Sequence, residues 1–387
     1  MKTITVVGAS LAGLHTALEL RSQGYDGRLV LVGEERHRPY DRPPLSKGFL
    51  TGDLGRDQLA LIAGEEEAAL EAEWLLGVRA TRLDPRTRTL TLDDGRRLTT
   101  DGLVIAVGAT PRRLPGPPLS GVHTLRTLDD AEALRARLAH GPRRVVVVGG
   151  GFIGAEAASS CAAAGHRVTV VEAAPLPLVP QLGEEMAREC AALHADHGVP
   201  LLCGTGVRGW RSSGDRVTGV ELGDGRVLDA DVVIVGVGVL PRTDWLTGSG
   251  LPLGDGVLTD AGGMTELPGV AAVGDVARVA GVRSEHWSSA VAQSAVAARN
   301  LLAGATVDVC RGVPSFWSDQ YGVRVQFAGR REPGDTVRIV EGSPDDRSFL
   351  ALYERAGRTT AALALNRPRP FTRIRRELSR ATAPAPL

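Results

Sequence analysis

Lysine is nearly missing from this chain. Among 45 Lys and Arg residues, only Lys2 and Lys47 are lysine. A GC-rich coding bias accounts for the pattern, and Lys47 draws notice because it resists that bias. Cysteine is also sparse: Cys161, Cys190, Cys203 and Cys310, with no C-x-x-C among them. The dithiol of disulfide reductases is therefore missing, and buried structural thiols are expected. No apolar run reaches the ~18 residues of a membrane span. The first expected strand begins at Thr3, leaving no room for a signal peptide, so a cytoplasmic chain without a membrane partner is expected. Formal net charge is zero, so no global field draws the chain to nucleic acid. His15, His123, His166, His194, His197 and His286 lack metal-ligand spacing, and no Ser-His-Asp arrangement is indicated.

What is present, twice, is the strand–glycine-loop–helix pattern that holds a dinucleotide. The first copy runs Thr3-Ile4-Thr5-Val6-Val7-Gly8-Ala9-Ser10-Leu11-Ala12-Gly13. The second runs Val145-Val146-Val147-Val148-Gly149-Gly150-Gly151-Phe152-Ile153-Gly154. Each leads into an Ala-rich helix and a second strand ending in an acid, Glu34 or Glu172. That context is what the motif requires: amide N–H groups and a helix N-terminus for pyrophosphate, and a carboxylate for ribose hydroxyls. Ser10 stands where the middle glycine is usual, and a small side chain should fit there. Glu172 is followed by Ala173, Ala174 and Pro175 with no arginine, which favours NADH over NADPH. Two such sites suggest a flavin held permanently and a nicotinamide that comes and goes.

The duplication continues past the loops. Asp94-Gly95 and Asp224-Gly225 each sit between alternating runs, a hairpin signal. Each hairpin is followed by a closing apolar strand, Leu103 to Gly108 and Val232 to Gly238, and Gly238 is a cofactor-binding candidate. The Pro-rich stretch from Thr110 to Pro118 reads as the crossover between halves, and an Ala-rich helix is predicted near Trp287 to Ala303. From about Cys310 the pattern changes to alternating runs at Val323–Phe327, Thr336–Val340, Ser348–Tyr353 and Thr359–Leu365, which predict a small antiparallel sheet. The end from Ala381 to Leu387 should fray.

Further segments carry a resemblance. Tyr40-Asp41-Arg42-Pro43-Pro44-Leu45-Ser46-Lys47, Ala106 to Arg112, Leu125 to Ala131, Ala272-Val273-Gly274-Asp275 and Phe316-Trp317-Ser318-Asp319-Gln320 occur in that order. Together they resemble the FAD-dependent ferredoxin reductases of oxygenase systems, of the putidaredoxin reductase and aromatic dioxygenase reductase type. The resemblance runs from the first strand to about residue 370. It implies an α/β fold with two Rossmann-like, glutathione-reductase-like domains and a small α+β C-terminal domain. FAD binding would fall in residues 1–109 and 236–309, NAD binding in 110–235, and the C-terminal domain in 310–387.

The same resemblance assigns Ala12, Glu34, Arg42, Lys47, Ala80, Arg126, Asp275 and Trp287 to FAD. Asp275, after the Gly274 turn, resembles the acid on the ribityl hydroxyls. The helix near Trp287 would turn its positive end toward the flavin pyrimidine edge. Lys47 resembles the lysine beside flavin N5, and Glu156 its partner near the nicotinamide. Trp317 resembles the aromatic where electrons leave, although a core tryptophan remains an alternative. The implied activity takes hydride from NADH and passes single electrons to an iron–sulfur ferredoxin. That ferredoxin would serve an oxygenase, a cytochrome monooxygenase or aromatic dioxygenase. Arg367, Arg369, Arg373, Arg375, Arg376 and Arg380 form either a docking patch for an acidic ferredoxin or a solvated face. Two rival readings are an NADH oxidase or disulfide reductase of the same fold, and a flavin-binding signalling protein like apoptosis-inducing factor.

Overall fold

The computed structural model describes residues 1–381, and the expected fraying beyond Ala381 lies outside them. The two glycine fingerprints seed two parallel sheets of like construction. In the first, the strands run in the order Val270–Ala272, Gly102–Ile105, Thr3–Val7, Arg28–Gly33 and Ala72–Leu76. In the second, the order is Leu201–Leu202, Arg167–Val171, Arg144–Val148, Val232–Val235 and Val122–Thr124. Every pairing in both sheets is parallel.

Parallel strands are covered on both faces, which is why these read as near-continuous valine runs and not as alternating ones. In Arg144–Val148, Val145 and Val147 join one core cluster while Val146 and Val148 join another. The first sheet divides in the same way, Ile4 and Val6 on one face and Val7 on the other. Both Asp-Gly signals mark tips of three-stranded antiparallel sheets, where Gly95 and Gly225 take φ of +86° and +89°. The helix Trp287–Ala303 has the predicted bounds and stops at Gly304, φ +71°.

The C-terminal segment forms a five-stranded antiparallel sheet, ordered Ser315–Gln320, Val323–Gly329, Arg358–Leu365, Ser348–Arg355, Thr336–Ser343. The first of these strands was not among the alternating runs, because its inward positions are polar. The basic run after Arg367 proves to be a helix, Pro368–Ala381. Phe371 and Leu378 are buried and Ile374 half-buried, so one face seats on the strands beneath it.

Packing divides the chain into two compact units. One comprises Met1–Asp41, Leu59–Thr110 and Leu240–Pro314. The other comprises Arg42–Gln58, Pro111–Val239 and the described residues from Ser315 onward. The segment carrying Lys47 therefore packs with the second sheet although it lies in the first third of the sequence. Among the described residues no helix is long and apolar enough to cross a membrane.

Candidate flavin and nicotinamide sites

The two glycine loops repeat each other at atomic detail. The Gly8 amide donates to Val32 O at 2.8 Å, and the Gly149 amide donates to Val171 O at the same distance. Gly8 takes φ +117°, and a Cβ there would stand 2.1 Å from Ala106 O. Gly149 takes φ +103°, and its Cβ would stand 2.3 Å from Gly236 O. Gly13 and Gly154 close the helix onto the loop: a Cβ on either would fall within 2.0 Å of the Gly8 or Gly149 carbonyl oxygen. Ser10 needs no such freedom, because its backbone is extended, φ −120°. Gly151 is extended too, and space beside it is open.

The helices that follow, Leu11–Ser22 and Phe152–Ala163, have no side-chain N-cap and no acid in the first turn. Their N–H groups carry partial positive charge that no local side chain neutralises, a donor set suited to pyrophosphate. Phe152 is half-buried against Phe316, ring centroids 4.7 Å apart, while Ile153 is exposed.

The acids at the second strand ends behave differently. The Glu172 carboxylate accepts from the Gly150 amide at 2.7 Å and the Ala174 amide at 2.8 Å, which fixes it at the loop. Glu34 instead pairs with Arg242, and Arg79 lies 3.9 Å away. Burial holds the Arg242 guanidinium below its ordinary value. Gly238, φ +93°, accepts through its carbonyl from the Arg112 amide at 2.9 Å.

Other candidates gather in the first unit. Gly274, φ +73°, begins the turn that carries Asp275, and a Cβ on it would lie 3.0 Å from Ala12 Cβ. The Gly274 amide donates to Gln293 Oε1 at 2.8 Å, tying this turn to helix Trp287–Ala303. That helix also lacks a side-chain cap and a first-turn acid. Ser294 Oγ donates to Ala12 O at 2.9 Å, so the first loop helix and the Trp287 helix are joined beside the Asp275 turn. Trp287 Nε1 donates to Asp41 Oδ1 at 3.0 Å. Ala80 is buried in the core beside the sheet and presents no polar group.

The second unit holds the remaining candidates. Arg42 Nη1 donates to Arg126 O at 2.6 Å, joining two expected residues through one carbonyl. Lys47 Nζ stands 2.7 Å from Glu156 Oε2, and it also donates to Pro43 O at 3.0 Å. Glu156 is 2% exposed and Lys47 18%. Ser46 Oγ donates to Glu156 Oε2 at 2.5 Å, and Ser318 Oγ to Oε1 at 2.6 Å. A carboxylate this buried is tolerable only because it is paired and hydrogen-bonded. Trp317, next to Ser318, is half-buried, with the Arg324 guanidinium 5.9 Å from its ring centre.

A family model described as pyridine nucleotide-disulphide oxidoreductase matches residues 2–294, and one described as reductase C-terminal matches residues 315–386. The chain belongs to the pyridine nucleotide-disulphide oxidoreductase family. This oxidoreductase is 36% identical to a ferredoxin–NAD(P)(+) reductase of Sphingomonas sp, over 96% of the chain and 92% of that protein. It is 38% identical to the ferredoxin reductase component of chlorobenzene dioxygenase from a Cupriavidus strain, over 95% of the chain and 90% of that protein. Among solved structures, it matches the covalent putidaredoxin reductase–putidaredoxin complex with TM-score 0.91 and 33% identity, covering 98% of this chain and 93% of that one. Family membership implies a flavin and a pyridine nucleotide as working cofactors.

No disulphide of the kind the family's description names is present among the described residues. All four cysteines are free. Burial pushes the Cys161 and Cys190 thiols up to about 12 and the Cys310 thiol up to about 11. A thiol held so far from ionisation is a poor nucleophile.

Sequence reading gave no role to Ser46, Ser318, Asp41 or Arg242. Ser318 and Gln320 did leave a trace, two polar residues at inward positions of a strand. Asp41 and Ser46 lie in the Tyr40–Lys47 segment that carries the resemblance, without a role of their own, and Arg242 shows no local signal.

Proposed function

We propose that this oxidoreductase is a cytoplasmic, FAD-dependent NADH:ferredoxin reductase, supplying single electrons to a small iron–sulfur protein that serves an oxygenase. The observation that carries this reading is the presence of two complete nucleotide-loop frames in a chain that has no redox dithiol. Bound flavin supplies the chemistry that links a two-electron donor to a one-electron acceptor. With Cys161 and Cys190 buried, Cys203 and Cys310 half-buried and no two cysteines paired, a disulfide reductase is disfavoured, and electrons must leave to an external acceptor.

The protein's own groups divide that work. Gly8, Ser10, Leu11, Ala12 and Gly13 would present amides to the FAD pyrophosphate, with Glu34 on the adenosine ribose. Gly274, Asp275 and the N-terminus of the Trp287 helix would hold the ribityl chain and the pyrimidine edge. Ala80, Arg42, Lys47, Arg126 and Trp317 are the other FAD positions the resemblance assigns. Gly149, Gly151, Phe152, Ile153 and Gly154 would receive the NADH pyrophosphate, with Gly238 nearby and Glu172 accepting from the ribose diol. The Glu172 carboxylate repels a 2′-phosphate, and no arginine follows it in sequence to offset that repulsion. Lys47 and Glu156 are the pair assigned to hydride transfer, where a fixed charge pair orients the reacting groups and excludes water.

The helix Pro368–Ala381 is proposed as part of the surface that meets the acceptor. Arg369, Arg373, Arg376 and Arg380 are spaced four, three and four apart, so they line one helix face opposite Phe371, Ile374 and Leu378. All four are exposed.

The test is NADH-dependent reduction of cytochrome c with and without a panel of ferredoxins of different cluster types. The proposal expects turnover to rise steeply with one or more of them. Turnover that no ferredoxin increases would overturn it.

A further inference from the structure

Two residues beside the Lys47–Glu156 pair have no assigned part in the reaction. Ser318 and Gln320 lie on strand Ser315–Gln320, 0% and 1% exposed. Alternation along a strand places them on one face and Trp317 on the other. Gln320 Nε2 donates to Ser318 Oγ at 3.0 Å. That contact occupies a lone pair of the hydroxyl and leaves its single proton for Glu156 Oε1, 2.6 Å away.

The two oxygens of Glu156 are thus held from different parts of the chain. Oε2 receives Ser46 Oγ and Lys47 Nζ from the segment after Asp41. Ser46 is itself anchored, because Ser160 Oγ donates to its carbonyl at 2.7 Å. Oε1 receives Ser318 alone among the described residues. Glu156 sits near the start of helix Phe152–Ala163 on a side chain with three rotatable bonds. Without a donor on Oε1 the carboxylate is pinned at one edge only. It can then rotate about its terminal bond, and the lysine moves with it.

We propose that Ser318, aimed by Gln320, is a positioning residue that fixes the Glu156 carboxylate and so sets where Lys47 stands. This rests on the assignment of Lys47 and Glu156 to hydride transfer made above. The strand that carries Trp317 is then mechanically coupled to the Lys47–Glu156 pair through Ser318.

The experiment uses the FAD-loaded protein in stopped flow with NADH. Ser318→Ala should slow flavin reduction at saturating NADH roughly tenfold, equivalent to about 1.4 kcal/mol, with NADH affinity unchanged within about twofold. Ser318→Thr, which keeps the hydroxyl, should recover most of the rate. Gln320→Met should slow reduction less, because the hydroxyl remains but is no longer aimed. Ser318→Ala should add nothing in a Lys47→Ala background, since both act through one carboxylate. A second arm needs no activity: in urea unfolding of flavin-free protein, Ser318→Ala and Glu156→Gln should be non-additive.

Wild-type reduction by Ser318→Ala together with slow reduction by Lys47→Ala would overturn the positioning role and leave the pair intact. Wild-type reduction by Lys47→Ala would remove the pair itself, and this proposal with it. Additive effects in either cycle would show Ser318 acting elsewhere, and would also overturn it.

Discussion

Removing one charge of the Lys47–Glu156 pair should cost more than removing both. Lys47→Met leaves Glu156, 2% exposed, without its cation. An uncompensated buried charge costs about 3–5 kcal/mol. Ser46 and Ser318 remain as donors to that carboxylate, and the lysine end is partly open to water, so the loss falls at or just below the lower limit of that range. A loss of about 2–3 kcal/mol is expected. Glu156→Gln strands a cation that keeps Pro43 O and some solvent, so about 1–2 kcal/mol is expected. Lys47→Met with Glu156→Gln leaves no buried charge, and its stability should return to within about 1 kcal/mol of wild type. Function should not return with it. The double variant should be stable and retain FAD, yet its flavin reduction by NADH should stay as slow as in the worse single variant. Urea unfolding of flavin-free protein and stopped-flow reduction of the FAD-loaded protein supply the two numbers. A double variant no more stable than the singles would refute the coupling. One that reduces flavin at the wild-type rate would refute a role for the charges.

Three further outcomes are expected. NADH should exceed NADPH in kcat/KM by several hundred-fold, since a 2′-phosphate some 4–5 Å from the fixed Glu172 carboxylate is opposed by about 3–4 kcal/mol at an effective dielectric of 20; equal constants would dismiss that carboxylate as the selector. Reversing Arg369, Arg373 and Arg376 to Glu should raise the KM for ferredoxin and flatten its salt dependence while sparing ferricyanide; unchanged ferredoxin kinetics would make the stripe a solvated face. His194 is buried, accepts or donates at 2.8 Å with Tyr321 OH through Nδ1, and is held by burial at about 4 against an ordinary 6.5. The unfolded chain therefore takes up the proton first, so stability is flat above about pH 6.5 and falls between there and about pH 4, by on the order of 2–3 kcal/mol. His194→Asn should remove most of that slope in urea midpoints measured from pH 7 to pH 4.5, and an unaltered slope would assign it to other groups.

The docking stripe shows how far a one-dimensional reading goes. The sequence displayed a run of arginines, and Arg373, Arg375 and Arg376 were its densest part. Only the helical period separates them. Arg375 falls well to one side of the face shared by Arg369, Arg373, Arg376 and Arg380, and that period was not evident until Phe371, Ile374 and Leu378 were seen seated on the sheet.

Sequence by itself determined whatever short-range physics encodes. Valine runs gave strands covered on both faces, the glycine turns gave both loops, and Asp-Gly gave both hairpin tips. The small residues after Trp287 gave a helix from Trp287 to Ala303. Each of these depends on φ/ψ preference or periodicity within about ten residues, so the chain carries its own signal. Lys47 stood out for composition, Glu156 for its place after a loop, and their resemblance for both. What only the tertiary structure decided was the company they keep. Ser318 reaches Glu156 across 162 residues, Trp287 reaches Asp41 across 246, and Arg242 reaches Glu34 across 208. No local preference of serine or arginine encodes such a meeting. It follows from strand order and from which segment packs on which sheet. That is why the Glu156 carboxylate, legible as a candidate, had donors that were not.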